Sequence, residues 1–224
     1  MNVKYFTKMS FMKTVVIYLG GDGPLSFPGE RTSSHVVIAA DSGLELAHAH
    51  GIAADVVVGD MDSVDPELLQ QYVDSGTKMM KFPQDKNETD FELALDVARQ
   101  FNAEKLLVVG GGGQRLDQLL ANIAILSGYR TNGWLTDMVT ATEHVAVCRS
   151  NQPRTFTCSV GDIISLIPIE GDAIGVTTSG LKWELEDSTL DVHAARGLSN
   201  VCVNHDVRIE INSGSLAFIT RTKR

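Results

Sequence analysis

Two aspartates, Asp60 and Asp62, follow a run of three valines in the stretch Asp55-Val-Val-Val-Gly-Asp-Met-Asp-Ser63. A continuous β-branched run predicts a strand buried on both faces of a parallel sheet, and the carboxyl end of such a strand meets the ligand crevice. Two carboxylates on one turn repel each other unless a cation lies between them. The pair therefore predicts a site for a hard cation, most simply Mg²⁺, serving a phosphate-bearing substrate. The alternative is a turn without a ligand, since Asp readily forms turns.

Other charged residues are predicted to follow strands at the same edge of the sheet. They are Asp41 after the second strand, Lys86 and Asp90 after the fourth, and Arg115 and Asp117 after the fifth. Carboxylates that hold Mg²⁺ beside cations that bind phosphate oxygens are the groups that phosphoryl transfer requires. This grouping favours the metal interpretation over the turn.

Helix capping is the alternative for some of these positions. Asp65 precedes Pro66, which is typical of an N-cap followed by proline at the first helical position. Thr89 and Asp90 stand at the start of a predicted helix, where Thr89 can cap the helix and Asp90 can complement its dipole.

A run of four glycines, Gly110–Gly113, precedes Arg115 and a predicted helix. Such a run lets backbone N–H groups approach an anion, but this one matches neither the Walker pattern nor the dinucleotide fingerprint. Arg115 is placed to bind a phosphate oxygen in a forked geometry, with Gln118 and Asn122 along the same edge of the helix. The buried stripe of this helix is predicted to comprise Leu116, Leu119, Leu120, Ile123 and Leu126.

The first two-thirds of the chain alternate between strand and helix patterns, which predicts an open, mainly parallel α/β sheet with helices on both faces. The predicted strands are Thr14–Leu19, His35–Ala39, Asp55–Val58, Lys78–Phe82, Lys105–Val109 and, more weakly, Gly133–Leu135. The predicted helices are Gly43–His50, Pro66–Ser75, Thr89–Phe101 and Arg115–Ser127.

From about Cys148 onward, short apolar runs alternate with Gly, Asn, Asp and Ser, which predicts an antiparallel β-sandwich or barrel. These runs are Ile163–Ile167, Val201–Val203, Val207–Ile211 and Leu216–Thr220. We therefore expect an extension over residues 1–12, an α/β domain over residues 13–147 and a β domain over residues 148–224.

The composition of the chain argues against several classes of function. The chain has 224 residues and a net charge of −9, which argues against a nucleic-acid surface. We find no transmembrane span and no convincing signal peptide, so no membrane association is expected. Cys148, Cys158 and Cys202 form neither a zinc pattern nor a disulfide framework, and a cytoplasmic protein with buried thiols is expected. No Ser-His-Asp or Cys-His arrangement competes with the acidic site.

The motifs of this chain, and the order in which they occur, resemble those of the thiamine pyrophosphokinase family. The resemblance extends from residue 13 to the C-terminus. It rests on Ala40–Gly43, Gly59–Ser63, Pro83–Lys86 with Thr89-Asp90, Arg115–Gln118, Thr178–Leu185 and Gly197–Asn200.

The resemblance implies an enzyme that transfers an intact diphosphoryl group from ATP to the hydroxyl of thiamine and releases AMP. It implies a homodimer with active sites at the subunit interface and Mg²⁺ held by Asp41, Asp60, Asp62 and Asp90. The predicted catalytic residues are Asp60, Asp62, Arg115 and Asp117. The predicted ATP and diphosphate contacts are Asp41, Ser63, Lys86, Thr89, Gly111, Gly112, Gln118 and Asn122. The predicted thiamine contacts are Trp183, which would stack on the rings, Ser199 and Asn200. Either Asp60 or Asp117 could orient or deprotonate the hydroxyl.

Three positions depart from the family pattern. Gln114 stands where glycine is frequent before the arginine, Ser42 where a second glycine is frequent, and Gln118 where many bacterial members have histidine. Gln114 leaves the path of the glycine-rich loop open.

Three other functions compete with this reading. A pterin-type diphosphokinase would share the scaffold, but Trp183 favours thiamine. A haloacid-dehalogenase-like phosphatase also uses Asp-x-Asp after a strand, but Gly59 intervenes here and the later Lys and paired Asp residues are not recognisable. A nucleotide-sensing dimer without catalysis is disfavoured by the intact set of motifs.

Overall fold

The structure is a computed structural model that describes residues 12–113 and 115–221. Contacts divide the chain into two compact units, with the division between residues 142 and 143. The predicted end of the first domain, residue 147, falls inside a strand of the second unit, Glu143–Arg149. Gln114 and residues 1–11 of the predicted extension lie outside the described residues.

The first unit is an α/β structure built on parallel strands. Its strands are β1 (Thr14–Tyr18), β2 (His35–Ala40), β3 (Val56–Gly59), β4 (Lys78–Lys81), β5 (Lys105–Val109) and β6 (Leu135–Val139), and its helices are α1 (Gly43–Ala49), α2 (Pro66–Asp74), α3 (Asp90–Ala98) and α4 (Leu116–Ser127). Within the unit the strand order is β6-β5-β1-β2-β3-β4, and all five pairings are parallel. The order reverses between β1 and β5, and ligands bind outside the carboxyl ends of strands in such folds.

The packing explains why these elements form. All four residues of β3 are buried, as predicted from the valine run, and full burial of each valine contributes about 1.5–3 kcal/mol. Helix α3 packs through a face on which Phe91, Ala94, Leu95 and Ala98 are buried.

Both predicted caps are present at helix starts. Asp65 Oδ1 accepts a hydrogen bond from Leu68 N–H at 2.9 Å ahead of Pro66 in α2. Thr89 and Glu92 form a reciprocal capping box at the start of α3. Each such cap typically contributes about 1 kcal/mol.

Two predictions for this unit are wrong. The last parallel strand is Leu135–Val139 rather than Gly133–Leu135. The prediction ended too early because Thr136 and Asp137 are polar and interrupt the apolar pattern. Both side chains are buried, and Asp137 pairs with Lys105 at 3.2 Å.

The predicted stripe of α4 is not buried as a whole. Leu116 and Leu120 are 66% and 59% exposed, whereas Leu126 and Ser127 are buried. The helix therefore packs against the unit through its C-terminal turn, and apolar periodicity alone does not show how far along a helix the contact extends.

The second unit contains only strands in the part that the structure describes. They are β7 (Glu143–Arg149), β8 (Arg154–Thr157), β9 (Ile163–Pro168), β10 (Ala173–Ser179), β11 (Ser188–Leu190), β12 (Asn200–Val201), β13 (Asp206–Glu210) and β14 (Ser215–Arg221). They pair antiparallel in two layers, β12-β9-β14-β7 and β11-β10-β13-β8. The predicted β domain is confirmed, although the sequence reading did not identify β7, β8, β10 or β11.

One apolar core joins the two layers. Phe156 of β8 and Phe218 of β14 stack with ring centroids 3.9 Å apart and an interplanar angle of 4°. Cys148, Cys158 and Cys202 are buried in the same core, as predicted. No helix within the described ranges is long and apolar enough to cross a membrane.

Candidate metal and phosphate site

Three of the predicted aspartates come together at the carboxyl edge of the parallel strands. Oxygen atoms of Asp41, after β2, and of Asp60 and Asp62, after β3, lie within 4.8 Å of one another. Asp41 and Asp60 are half-buried and Asp62 is exposed. Carboxylate oxygens in a group of this size are the ligands that Mg²⁺ and Ca²⁺ prefer.

Unusual backbone conformations bring these carboxylates together. Asp41 and Met61 have φ angles of +47° and +65°, in the left-handed region that side chains rarely adopt, and Gly59 has φ +142°. A Cβ on Gly59 would lie 3.3 Å from Asp41 Cβ and 3.4 Å from Asp90 Oδ1, so glycine also leaves room for the cluster. Left-handed residues other than glycine each cost about 1–2 kcal/mol and concentrate at functional sites.

Hydrogen bonds hold the exposed carboxylate in a fixed orientation. Ser63 Oγ donates to Asp62 Oδ1 at 2.9 Å, and Gln84 Nε2 donates to Asp62 Oδ2 at 2.6 Å. The Asp62 N–H in turn donates to Asp60 Oδ1 at 3.2 Å, which closes the turn around Met61.

Asp41 differs from the other two carboxylates in its surroundings. Burial, with repulsion from Asp90 and Asp60, raises the pKa of Asp41 above its ordinary value, although hydrogen bonds from the Ser42 backbone and the Ser63 side chain oppose the shift. Asp41 Oδ1 is buried and has no hydrogen-bond partner among residues 12–113 and 115–221. A buried, unpartnered carboxylate oxygen costs free energy unless a proton or a cation satisfies it. The donor set and this oxygen therefore fit a divalent metal ion.

Lys86 and Asp90 form an ion pair beside the cluster. Lys86 Nζ lies 2.9 Å from Asp90 Oδ1, without the angles of a hydrogen bond, and the Lys86 side chain is 12% exposed. Asp90 is not among the three carboxylates that lie within 4.8 Å of one another. Its predicted role as a metal ligand stays a prediction. The structure shows it holding the ammonium group of Lys86 at the edge where phosphate is expected.

Three backbone amides of the glycine run donate hydrogen bonds within the fold. Gly110 N–H donates to Val139 O, Gly111 N–H donates to Gly20 O, and Gly112 N–H donates to Asp22 O. These three amides are therefore already hydrogen-bonded within the fold. In this structure the glycines let the loops after β1 and β5 pair closely, and the contact of Gly111 and Gly112 with ATP or diphosphate stays a prediction.

Arg115 and Asp117 form an exposed forked pair at the start of α4. Arg115 Nε and Nη2 donate to the two Asp117 oxygens at 2.9 and 2.6 Å. The hydrogen bond from Arg115 lowers the pKa of Asp117 to about 2. A carboxylate with so low a pKa is a weak proton acceptor, because an effective general base has a pKa near the working pH.

The other predicted phosphate contacts lie near this edge in different settings. Gln118 is exposed on α4. Asn122 Nδ2 donates to Gly111 O at 3.3 Å and so supports the glycine run. The hydroxyl of Thr89 donates to Glu92 and accepts from the Glu92 N–H, so it is engaged in capping α3.

The predicted thiamine contacts lie together in the β unit. Trp183 is 55% exposed, and Lys182 Nζ lies 4.7 Å from the centroid of its ring. Asn200 holds the Trp183 backbone on both sides, because its Nδ2 donates to Trp183 O at 2.8 Å and its Oδ1 accepts from Trp183 N–H at 3.1 Å. Ser199 adopts φ +56°, and its N–H donates to Ser165 Oγ. Asn200 is thus a support for an exposed indole that already attracts a cation.

Comparison with known proteins identifies the family. The model of the thiamin pyrophosphokinase catalytic domain matches residues 29–134, and the model of the thiamin pyrophosphokinase vitamin B1 binding domain matches residues 150–216. The chain belongs to the thiamin pyrophosphokinase family. The predicted family is confirmed, and with it the prediction of an enzyme.

Individual relatives agree with this assignment. Thiamine pyrophosphokinase of Bacillus subtilis is 24% identical over 214 residues, which cover 94% of this chain and 100% of that protein. Thiamine pyrophosphokinase 1 of Arabidopsis thaliana is 26% identical over 89% of this chain and 73% of its own length. The match to thiamine pyrophosphokinase 2 of the same plant, at 28% identity, covers 75% of this chain and 66% of that relative.

Solved structures show the same fold. The crystal structure of the Bacillus subtilis thiamine pyrophosphokinase has a TM-score of 0.83 at 22% identity and covers 95% of this chain and 100% of its own. The yeast thiamin pyrophosphokinase has a TM-score of 0.72 at 13% identity, covering 99% and 92%. The α/β-plus-β architecture predicted for the family is therefore confirmed.

Two features of this family member were not identified from its sequence. Gln84, which donates a hydrogen bond to Asp62, lies within the Pro83–Lys86 motif but was assigned no role, because an amide in a loop has many ordinary explanations. Ser42, where glycine is frequent in the family, directs its Oγ to a point 2.1 Å from where a Cβ on Gly20 would lie. Only the adjacency of β1 and β2 could have revealed that contact.

Proposed function

We propose that this family member transfers the diphosphoryl group of ATP to the hydroxyl of thiamine, giving thiamine diphosphate and AMP. The observation that carries the proposal is the group of three carboxylates, Asp41, Asp60 and Asp62, at the edge where such folds bind ligands. The family membership supplies the acceptor, because the second matched model is a vitamin B1 binding domain.

The carboxylates of Asp41, Asp60 and Asp62 would hold Mg²⁺. When bound, Mg²⁺ supplies charge neutralisation to the ATP phosphates. Lys86, held by Asp90, and Arg115, held by Asp117, present cations that bind phosphate oxygens and stabilise negative charge on them. Because Arg115 is a fork of donors, it can exchange Asp117 for a phosphate without loss of hydrogen bonds.

Asp60 is the better of the two candidates for orienting or deprotonating the thiamine hydroxyl. The Arg115 fork holds the pKa of Asp117 at about 2, which weakens Asp117 as a base. Asp117 serves instead to keep the Arg115 guanidinium in position.

Trp183 is proposed as the platform for thiamine. Thiamine is a cationic aromatic molecule, and an exposed indole face attracts such a cation by about 0.5–2 kcal/mol. We also propose a homodimer with active sites at the subunit interface and a cytoplasmic location. These two points rest on the resemblance and, for location, on the three buried cysteines.

The reaction is tested by incubating the protein with ATP, Mg²⁺ and thiamine and separating the products. We expect AMP and thiamine diphosphate in equal amounts, and no AMP when thiamine is omitted. ADP with thiamine monophosphate, or turnover that does not depend on thiamine, would refute the proposal.

Trp183→Ala tests the acceptor site. We expect a KM for thiamine about fivefold higher with the KM for ATP unchanged, since the lost contact is worth about 1 kcal/mol. Tyr129→Ala is the matched control, because it also removes an exposed aromatic ring (74% exposed). An unchanged KM for thiamine in Trp183→Ala would exclude the platform.

The alternatives of pterin-type transfer and phosphatase activity are tested with the same preparation. A pterin alcohol that replaces thiamine as acceptor would identify the former. Acid-stable incorporation of ³²P into the protein as an aspartyl phosphate would identify the latter.

A further inference from the structure

Gln84 makes a contact that none of the proposed roles uses. Its Nε2 donates to Asp62 Oδ2 at 2.6 Å, while Ser63 Oγ donates to Asp62 Oδ1 at 2.9 Å. Asp62 is the one exposed carboxylate of the three-aspartate cluster. An exposed aspartate ordinarily samples several rotamers, and these two donors restrain both of its oxygens.

The pairing of strands β3 and β4 places Gln84 beside Asp62. Strand β4 pairs with β3 so that Lys81 lies opposite Gly59, and Phe82 N–H donates to Gly59 O at 3.0 Å. Pro83 follows with its restricted φ angle. The chain after β4 therefore leaves the sheet beside the turn that carries Asp60 and Asp62, and Gln84 is the next residue.

The contact leaves the carboxylate able to bind a cation. A carboxylate oxygen has two acceptor positions, and one hydrogen bond occupies only one of them. A glutamine amide also carries no charge, so it orients Asp62 without neutralising it. A lysine in its place would compete directly with a metal ion for the negative charge.

We propose that Gln84 is a positioning residue of the metal site, which fixes Asp62 so that its remaining acceptor positions face the cation shared with Asp41 and Asp60. The inference rests on the proposed Mg²⁺ role of the cluster. Groups that orient a metal ligand from outside commonly contribute about 10–100-fold to metal affinity. Because Asp62 keeps the hydrogen bond from Ser63, we expect the lower end of that range.

The test is Mg²⁺ binding to the full-length protein without nucleotide, measured by isothermal titration calorimetry and by the rise in Tm with Mg²⁺. Gln84→Leu is expected to raise the Kd for Mg²⁺ about tenfold and to leave the Tm in EDTA unchanged. In steady-state assays the Mg²⁺ concentration for half-maximal rate should rise in parallel. At saturating Mg²⁺ the KM for thiamine should equal that of the wild type.

Gln70→Leu is the matched control. Gln70 Nε2 donates to Asp74 Oδ1 at 2.8 Å, also between exposed side chains, but on helix α2. Its removal should leave Mg²⁺ affinity and turnover unchanged.

The positioning role is overturned if Gln84→Leu binds Mg²⁺ with wild-type affinity. The positioning role is also overturned if Gln84→Leu lowers turnover by raising the KM for thiamine or ATP, since Gln84 would then contact substrate. It is also overturned if the wild-type protein binds no Mg²⁺. A wild-type protein that binds Mg²⁺ but makes no thiamine diphosphate refutes only the proposed reaction, and a tenfold effect of Gln84→Leu would still support the positioning role.

Discussion

Replacing Asp60 with Asn should stabilise the metal-free protein and abolish its response to Mg²⁺. Oxygens of Asp41, Asp60 and Asp62 lie within 4.8 Å of one another, so three negative charges repel one another when no cation is present. Asparagine has nearly the same shape and keeps the Oδ1 that accepts the Asp62 N–H. The substitution therefore removes one charge and leaves the turn intact.

The size of the effect follows from Coulomb's law. Two unit charges 4.8 Å apart repel by about 1 kcal/mol in water and about 3.5 kcal/mol at an effective dielectric constant of about 20. Asp60→Asn removes two of the three repulsions, and solvent screening at this partly exposed site favours the lower values. We expect a gain of about 1–2 kcal/mol in the free energy of unfolding, or about 2–8 °C in Tm.

Thermal unfolding in EDTA and in Mg²⁺, each at several pH values, measures both halves of the prediction. The wild type should gain about 2.7 kcal/mol at a Mg²⁺ concentration of 100 times its Kd, and Asp60→Asn should gain almost none. Burial raises the pKa of Asp41, so protonation of that carboxyl relieves the repulsion first as the pH falls. The stability advantage of Asp60→Asn in EDTA should therefore be largest near neutral pH and decline as the pH falls through the raised pKa of Asp41.

Asp65→Asn is the control, because it makes the same chemical change at a helix cap outside the cluster. Asn caps helices about as well as Asp, so stability and the Mg²⁺ response should stay close to the wild type. The reasoning is refuted if Asp60→Asn has a lower Tm than the wild type in EDTA, or if it keeps the wild-type response to Mg²⁺.

Three further outcomes are expected. If each site combines residues of both subunits, mixing Asp62→Asn with Trp183→Ala should give heterodimers in which about one-quarter of all sites carry neither substitution and show the wild-type KM for thiamine, whereas sites within one subunit would keep the raised KM of Trp183→Ala. The Asp117 carboxyl, followed by ¹³C NMR, should titrate near pH 2, and its pKa should move towards the ordinary value of 3.8 in Arg115→Gln. The pairing with Arg115 therefore contributes stability above about pH 4 that is lost as the pH falls through 2. An unchanged pKa of Asp117 in Arg115→Gln would disprove the pairing in solution. Phe218→Ala should lower the free energy of unfolding by about 3–5 kcal/mol in urea melts, because Phe218 is fully buried, and a loss below 1 kcal/mol would contradict the stacked core.

The carboxylate cluster could be predicted from sequence because topology alone fixes it. Buried parallel strands are recognisable in a sequence as apolar runs, and their carboxyl ends lie at one edge of the sheet whatever the details of packing. Asp41 and Asp60 directly follow such a run or its terminal glycine, and Asp62 comes two residues after Asp60. Their convergence required only the order of strands to be approximately right.

Other features depend on partners that are distant in the sequence. The amides of Gly111 and Gly112 are occupied because the loop after β1 lies beside them, which the glycine run itself does not reveal. The bounds of β6 were mispredicted because Asp137 is acceptable in a buried strand only when it pairs with a cation, here Lys105 on the neighbouring strand β5. The exposure of Leu116 depends on where α4 meets the rest of the unit.

The contact between Gly20 and Ser42 constrains the order in which this site can change. With Ser42 present, a side chain at position 20 would meet its Oγ at about 2 Å, so Ser42 must change rotamer before position 20 can accept one. If Ser42 first became glycine, that obstacle would be gone and position 20 could accept a small residue. The reverse order requires the Ser42 hydroxyl to rotate at the N-terminus of α1. Directed evolution of this loop should therefore recover changes at position 20 more often in lineages that have already lost the serine.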